Sequence, residues 1–280
     1  MELTTLKSKA YLHHLGLESH DPRRLANFYS QVLNMELQFS ENKRWYCIGP
    51  DRIIEFFGGD SRKLRFASFA CENQDSLNFI MDRALREGVK THTFKSEFFK
   101  IGSFSVFDYD NNQVSFGIPK KQHMPKKKFM HGPLQHLTFK SRDVNKFIDF
   151  YQDKLGFAVS DRVVNIDGEV TTCFVRSNQE HHNLACFKSE MAGIDHHSYE
   201  VGEWNLIRDW CDHFSDLGVK LFWGPGRHGP GNNLFVFIED CDGNRIELSA
   251  ELEIITARKI VEWPHEPRTL NLWGEGLMRS

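Results

Sequence analysis

The chain has no excess of one charge, no paired cysteines and no long apolar run, and each absence closes a class of function. Lys and Arg number 35 against 38 Asp and Glu, a net charge of -3. That balance offers no general attraction to nucleic acid or to an anionic membrane surface. No stretch approaches the roughly 18 consecutive apolar residues that a membrane-spanning helix needs. The six cysteines (Cys47, Cys71, Cys173, Cys186, Cys211 and Cys241) are scattered, with no CxxC pair. This argues against a disulfide scaffold or a zinc knuckle and for reduced thiols. The opening MELTTLKSKA lacks the apolar core of a secretory signal, so the expected compartment is the cytoplasm.

What is present is ordinary globular composition, 40% apolar and 26% charged over 280 residues, with room for two domains. Phenylalanine is abundant, at 24 residues. That number suits normal core packing, and also a closed pocket for a flat organic ligand.

An internal repeat organises the chain. Tyr11-Leu-His-His-Leu-Gly-Leu-Glu reads as a strand, followed by a helix that Asp21 caps, Pro22 opens, and Leu25, Phe28, Tyr29 and Leu33 stripe. Leu134 onward repeats it without a gap: His14 aligns with His136, Phe28-Tyr29 with Phe150-Tyr151, and Leu33 with Leu155. Further on, a helix over 76–89 that stops at Gly88 matches one over 205–219 that stops at Gly218. Phe104 to Phe116 matches Phe235 to Leu248. Each half therefore holds two units of strand, helix and further strands. The implied division is 1–120, a lysine-rich linker 121–133, 134–250 and a tail 251–280. The lysines of the linker (Lys121, Lys126, Lys127, Lys128, preceded by Lys120) read as a solvated connection.

The repeat serves as an internal control. In the second half its strands carry His136, His197 and Glu247; in the first half the matching places hold His14, Phe66 or a neighbour, and Ser115. A lone histidine on a strand is usually a satisfied core residue. Glu247 lies between apolar residues, where a carboxylate is costly unless paired or bound to a metal. Two imidazoles and one carboxylate from separate strands form a facial triad that suits Fe(II) and leaves positions for substrate and O2. The same set accepts Mn(II), Zn(II) or Co(II).

Several segments then carry a resemblance: Leu134-Gln-His-Leu-Thr-Phe, Glu180-His-His-Asn-Leu-Ala, Ile194-Asp-His-His-Ser-Tyr-Glu-Val, Gly224-Pro-Gly-Arg-His-Gly, Gly243-Asn-Arg-Ile-Glu and the tail from Trp263. Together they resemble the vicinal oxygen chelate superfamily, and within it the two-domain type I extradiol ring-cleavage dioxygenases of the catechol 2,3-dioxygenase group. The resemblance implies an α+β fold of four βαβββ modules paired into two domains. It implies Fe(II), or Mn(II), on His136, His197 and Glu247. It assigns His182 as acid/base, His228 as a second histidine near the substrate hydroxyl, and Phe237 and Thr138 as substrate contacts. The partners implied are a small aromatic diol and O2, with neither nucleic acid nor membrane, in a homo-oligomer. One departure stands out: Phe237, ten residues before Glu247, occupies the family's usual tyrosine position and lacks its hydroxyl. Three other readings stay open: a dioxygenase acting on a non-catechol substrate, suggested by Phe237; a metal-dependent isomerase or lyase that needs no O2; and a ligand-binding module without chemistry.

Overall fold

A computed structural model of the chain describes residues 7–278 apart from 41, 43 and 123–127. Lys126 and Lys127 of the linker fall outside the described residues. The fold is α+β, built from two mixed sheets of eight and nine strands.

Four βαβββ modules follow one another. The first is β1 (Tyr11–Ser19), α1 (Pro22–Val32), β2 (Glu36–Phe39), β3 (Trp45–Gly49) and β4 (Arg52–Gly58). The second is β5 (Lys63–Ala70), α2 (Gln74–Arg86), β6 (His92–Thr93), β7 (Phe104–Phe107) and β8 (Gln113–Gly117). The third is β9 (Leu134–Ser141), α3 (Val144–Ile148) continued as a π-turn over Asp149–Lys154, β10 (Ala158–Val164), β11 (Val170–Arg176) and β12 (Leu184–Lys188). The fourth is β13 (Gly193–Gly202), α4 (Trp204–Asp216), β14 (Trp223–Arg227), β15 (Leu234–Glu239) and β16 (Arg245–Ala250).

Local chemistry sets the helices. Asp21 accepts from the Arg24 N–H at 3.0 Å and Pro22 opens α1 with a fixed φ, so the helix starts where an orphan donor is satisfied. Its stripe of Leu25, Ala26, Tyr29 and Val32 is buried. Asn73 caps α2 through the Ser76 N–H at 2.9 Å. Gly88 (φ 71°) and Gly218 (φ 69°) follow α2 and α4 in the left-handed conformation that ends a helix and that glycine adopts without strain.

The first strands of paired modules meet at the centre of each sheet. The orders are β2-β3-β4-β1-β5-β8-β7-β6 and β14-β15-β16-β13-β9-β12-β11-β10-β17. The last strand, β17 (Val261–Pro264), comes from the tail and pairs parallel with β10. A short α5 (Pro267–Leu270) follows, and its Leu270 packs with Phe187, Trp223, Phe235 and Phe237.

The halves interlock through their helices. Tyr29 on α1 donates to Asp240 Oδ2 of the second half at 3.2 Å, and Tyr151 of the second half donates to Asp108 Oδ2 of the first at 3.0 Å. One apolar core runs across both, from Leu15 and Phe69 to Phe157 and Leu248. No helix among the described residues is long and apolar enough to cross a membrane.

Candidate metal centre

The strands β16, β13 and β9 are adjacent in the second sheet. Ser198 on the middle strand is opposite both His136 and Glu247. Side chains alternate between the faces of a strand, so His196, two residues before Ser198, joins them on that face. The result is close: His136 Nε2 lies 3.0 Å, and His196 Nε2 3.3 Å, from Glu247 Oε2. From the loop after β14, His228 Nε2 reaches within 3.6 Å of Glu247 Oε1. Glu247 also accepts from Asn233 Nδ2 at 3.2 Å.

The hydrogen bonds behind the rings fix which nitrogen carries the proton. Gln135 Nε2 donates to the His182 carbonyl, which leaves Gln135 Oε1 as acceptor for His136 Nδ1 at 2.6 Å. Asp195 Oδ1 accepts from His196 Nδ1 at 2.6 Å. The Leu270 carbonyl accepts from His228 Nδ1 at 2.5 Å. An oxygen that can only accept demands an N–H, so in each neutral ring the proton is on Nδ1 and Nε2 presents a bare lone pair. Three such lone pairs face a carboxylate, which is also an acceptor. Acceptors crowded together within 3.0–3.6 Å repel one another unless a cation or extra protons lie among them. Imidazoles oriented by acceptors at Nδ1 are the usual surroundings of a metal. Among the described residues, His136, His196 and Glu247 are the one group of three His, Cys, Asp or Glu whose ligand atoms lie within 4.8 Å of one another. Their donor set fits a divalent first-row ion.

Electrostatics agree with that donor set. Burial by itself would raise the Glu247 carboxyl, but the adjacent imidazoles, His136 first among them, hold it well below the usual carboxylate range. Burial lowers His136 despite the pull of Glu247, which keeps the ring neutral. Burial also opposes charge on His196, but Asp195 and Glu247 on either side raise it overall.

The structure corrects one residue of the expected triad. His197 does not belong to it. Being the odd neighbour of His196, His197 turns to the opposite face, where it sits against Leu137 in the register and stacks on Tyr29 at 5.9 Å. Its Nε2 is 3.1 Å from the Tyr29 hydroxyl, which itself donates to Asp240. Burial lowers its pKa to about 3, so it is a neutral ring tying the two halves together.

The other expected residues come together. His182, His228, Phe237 and Thr138 line one cavity with His136, His196 and Glu247. The His182 ring lies 4.3 Å from that of His136, and burial, first of all, holds its pKa well below the ordinary value. Phe237 pairs with Glu247 across β15 and β16 and meets His196 edge-on at 5.1 Å. Thr138 is the partner of His196 across β9 and β13. Phe174, Phe187, Trp223 and Leu270 complete an apolar wall, and no Lys or Arg is among the residues lining this cavity. Sequence reasoning missed His196, along with Gln135 and Asp195, the two side chains that orient the triad's imidazoles. The signal for His196 was in the strand pattern: His197, Tyr199 and Val201 share the apolar phase, leaving His196, Ser198 and Glu200 on the other face.

Comparison with known proteins sets this geometry in a family context. Residues 134–248 match the Glyoxalase/Bleomycin resistance protein/Dioxygenase superfamily. Over 131 residues the chain is 31% identical to metapyrocatechase 2 of Cupriavidus necator, a match covering 47% of this chain but only 39% of that protein's length. Over 121 residues it is 30% identical to a probable lactoylglutathione lyase of Synechocystis sp., covering 41% of this chain and 92% of the relative. Homoprotocatechuate 2,3-dioxygenase from Arthrobacter globiformis shares the fold with a TM-score of 0.82 at 18% identity, over 99% of this chain and 92% of that one.

Proposed function

Because the chain belongs to the Glyoxalase/Bleomycin resistance protein/Dioxygenase superfamily, we propose that it opens the ring of a catechol-type diol with O2 at one Fe(II) held by His136, His196 and Glu247, Mn(II) being the alternative ion. The observation that carries this reading is the meeting of three bare imidazole nitrogens and a buried carboxylate at the wall of an apolar cavity. Held by His136, His196 and Glu247, a ferrous ion would supply Lewis acidity and redox chemistry toward a diol and O2 in this cavity.

The remaining work falls to the chain's own side chains. His182 Nδ1 is engaged by His181, and its Nε2 makes no hydrogen bond to a described residue, so it is available to hold a proton from a substrate hydroxyl and return it later. His228, fixed by the Leu270 carbonyl and stacked on Phe235 at 3.9 Å, presents Nε2 to a second hydroxyl. Phe174, Phe187, Trp223 and Phe237 grip a flat ring and keep water out. With no Lys or Arg among its lining residues, the cavity suits a diol whose substituent is uncharged. Phe237 supplies a ring and no hydroxyl, and the missing hydrogen bond to a charged oxygen is worth about 1.5–3 kcal/mol. Phe237→Tyr is therefore expected to raise catechol turnover.

The decisive experiment is anaerobic purification with metal analysis, followed by O2 uptake on a panel of neutral and carboxylated catechols. Stoichiometric iron, with O2 consumed and a yellow semialdehyde formed from neutral catechols, is the expected result. Absence of bound metal, or no O2 uptake with any diol, rejects the proposal. The missing hydroxyl of Phe237 favours one second reading, a metal-dependent isomerase or lyase. That reading needs bound metal and product formation without O2 consumption.

A further inference from the structure

We infer that Asp161 and His181 form a positioning pair that fixes the tautomer of His182, leaving its cavity-facing Nε2 unprotonated in the resting protein, so that His182 acts first as a base. The inference of a catalytic consequence rests on the reading of the cavity as a diol site; the tautomer itself rests only on geometry.

Asp161 is 1% exposed on β10 and is committed as an acceptor from several sides. Its Oδ1 takes Arg258 Nη1 at 2.8 Å and the Val261 N–H at 3.3 Å. Its Oδ2 takes Trp263 Nε1 at 2.8 Å and lies 3.0 Å from His181 Nε2. A carboxylate beside a guanidinium stays ionised, and an ionised carboxylate has no proton to give. The His181 Nε2 contact is not aligned as a hydrogen bond, but its closeness to that negative charge favours a proton over a lone pair at this nitrogen. In the neutral ring this leaves His181 Nδ1 as an acceptor. Its neighbour at 2.9 Å is His182 Nδ1, which must then be the donor. With its proton on Nδ1, His182 keeps a lone pair on Nε2, and this nitrogen has no hydrogen bond to any described residue.

The arrangement is also held in place sterically. The His181 side chain is fully buried, the His181 backbone N–H donates to the Glu253 carbonyl at 2.8 Å, and a Cβ on Gly231 would come within 3.1 Å of the ring Nδ1. Arg258 and Trp263 both come from the C-terminal tail. The tail thus reaches the chemistry through Asp161, His181 and His182 in sequence. Any base catalysis by His182 then depends on residues that never touch substrate.

The test compares Asp161→Asn, His181→Asn and His181→Phe. The full chain is labelled with 15N-histidine and examined by NMR, metal-free and with Zn(II) added, and turnover is measured separately on the iron-loaded protein. Wild type is expected to show His182 protonated at Nδ1. Asp161→Asn can offer an amide N–H to His181 Nε2, so the His182 signals should move to the Nε2–H form. Turnover per bound metal should fall by about 100-fold, mainly in kcat and with little change in KM. His181→Phe removes the acceptor and should behave alike. His181→Asn places an amide oxygen where Nδ1 was and should restore the wild-type tautomer and most of the turnover. A His182 that is Nε2-protonated in wild type, or whose tautomer is the same in all folded variants, overturns the inference. So does a His181→Phe variant with wild-type kcat per metal. A wild type with the expected tautomer that consumes no O2 would instead remove the diol reading and leave the positioning pair standing.

Discussion

The first half of the chain offers the same strand positions as the second and fills them differently. His14 lies opposite Ser68 as His136 lies opposite Ser198. By that register Phe66 stands in the place of His196 and Ser115 in the place of Glu247, and Ser68 and Ser115 satisfy each other at 2.6 Å. Even the edge-on ring pair persists: His14 and Phe66 are 5.7 Å apart, His136 and His196 5.6 Å. Gly16, in the position of Thr138, accommodates the Phe66 ring, since a Cβ there would come within 2.7 Å of it. Phe98 and Phe99 also pack on His14. One half uses aromatic bulk to close the space that stays open as a cavity in the other half. The difference teaches that the fold supplies converging positions, and the residue types decide whether they become a core or a site.

The sharpest way to break this comparison is metal content. His136→Ala, His196→Ala and Glu247→Ala are each expected to lose the ion and all turnover, whereas His14→Ala and His197→Ala should retain it. Stoichiometric metal in the first three, or its loss in His197→Ala, would undo the assignment of the two faces. Next in size is His182→Phe, expected to keep metal and lose about 100- to 10,000-fold in kcat; near-normal turnover would exclude its proton-transfer role.

A pH effect separates the halves next. Glu55, buried near His14 at 3.9 Å, has its carboxyl raised by burial from 4.5 to about 7, with Arg44 opposing the shift. The folded chain thus holds this proton more tightly than the unfolded one. The corresponding stability is complete below about pH 4.5 and is lost as pH rises through about 7. Urea unfolding of wild type and Glu55→Gln should therefore diverge from pH 4.5 to pH 8, by up to about 3 kcal/mol in favour of the variant. A constant difference across that range counts against the shift. Glu247, whose carboxyl is held low, has the opposite dependence.

The smallest effects test the interlock. Tyr29→Phe removes the partner of both His197 and Asp240 and should cost about 2 kcal/mol, while Tyr151→Phe removes one bond to an Asp108 that keeps the Asn112 donors and should cost about 1 kcal/mol. Thermal melts giving equal shifts would show that the two ties are equivalent.

The repeat, the helix cap at Asp21, the glycine stops and the alternating strands were legible in the order of residues, because each is a short-range rule of backbone and periodicity. So was the gathering of His136, His182, His228, Phe237, Thr138 and Glu247 into one half, through the contrast with the first half and the family resemblance. Between His196 and His197 the resemblance pointed to His197, although the apolar phase of His197, Tyr199 and Val201 leaves His196 on the other face. Two adjacent histidines differ only in the face they occupy, and the face becomes certain once Leu137 and Ser198 set the register across strands. The sequence by itself determined the modules and the half of the chain that carries the site. Only the tertiary structure decided which imidazole looks into the cavity, which nitrogens Gln135, Asp195 and Leu270 leave bare, and that Asp161 stands behind His181, because those relations join residues from strands and loops that meet only when the sheet is assembled.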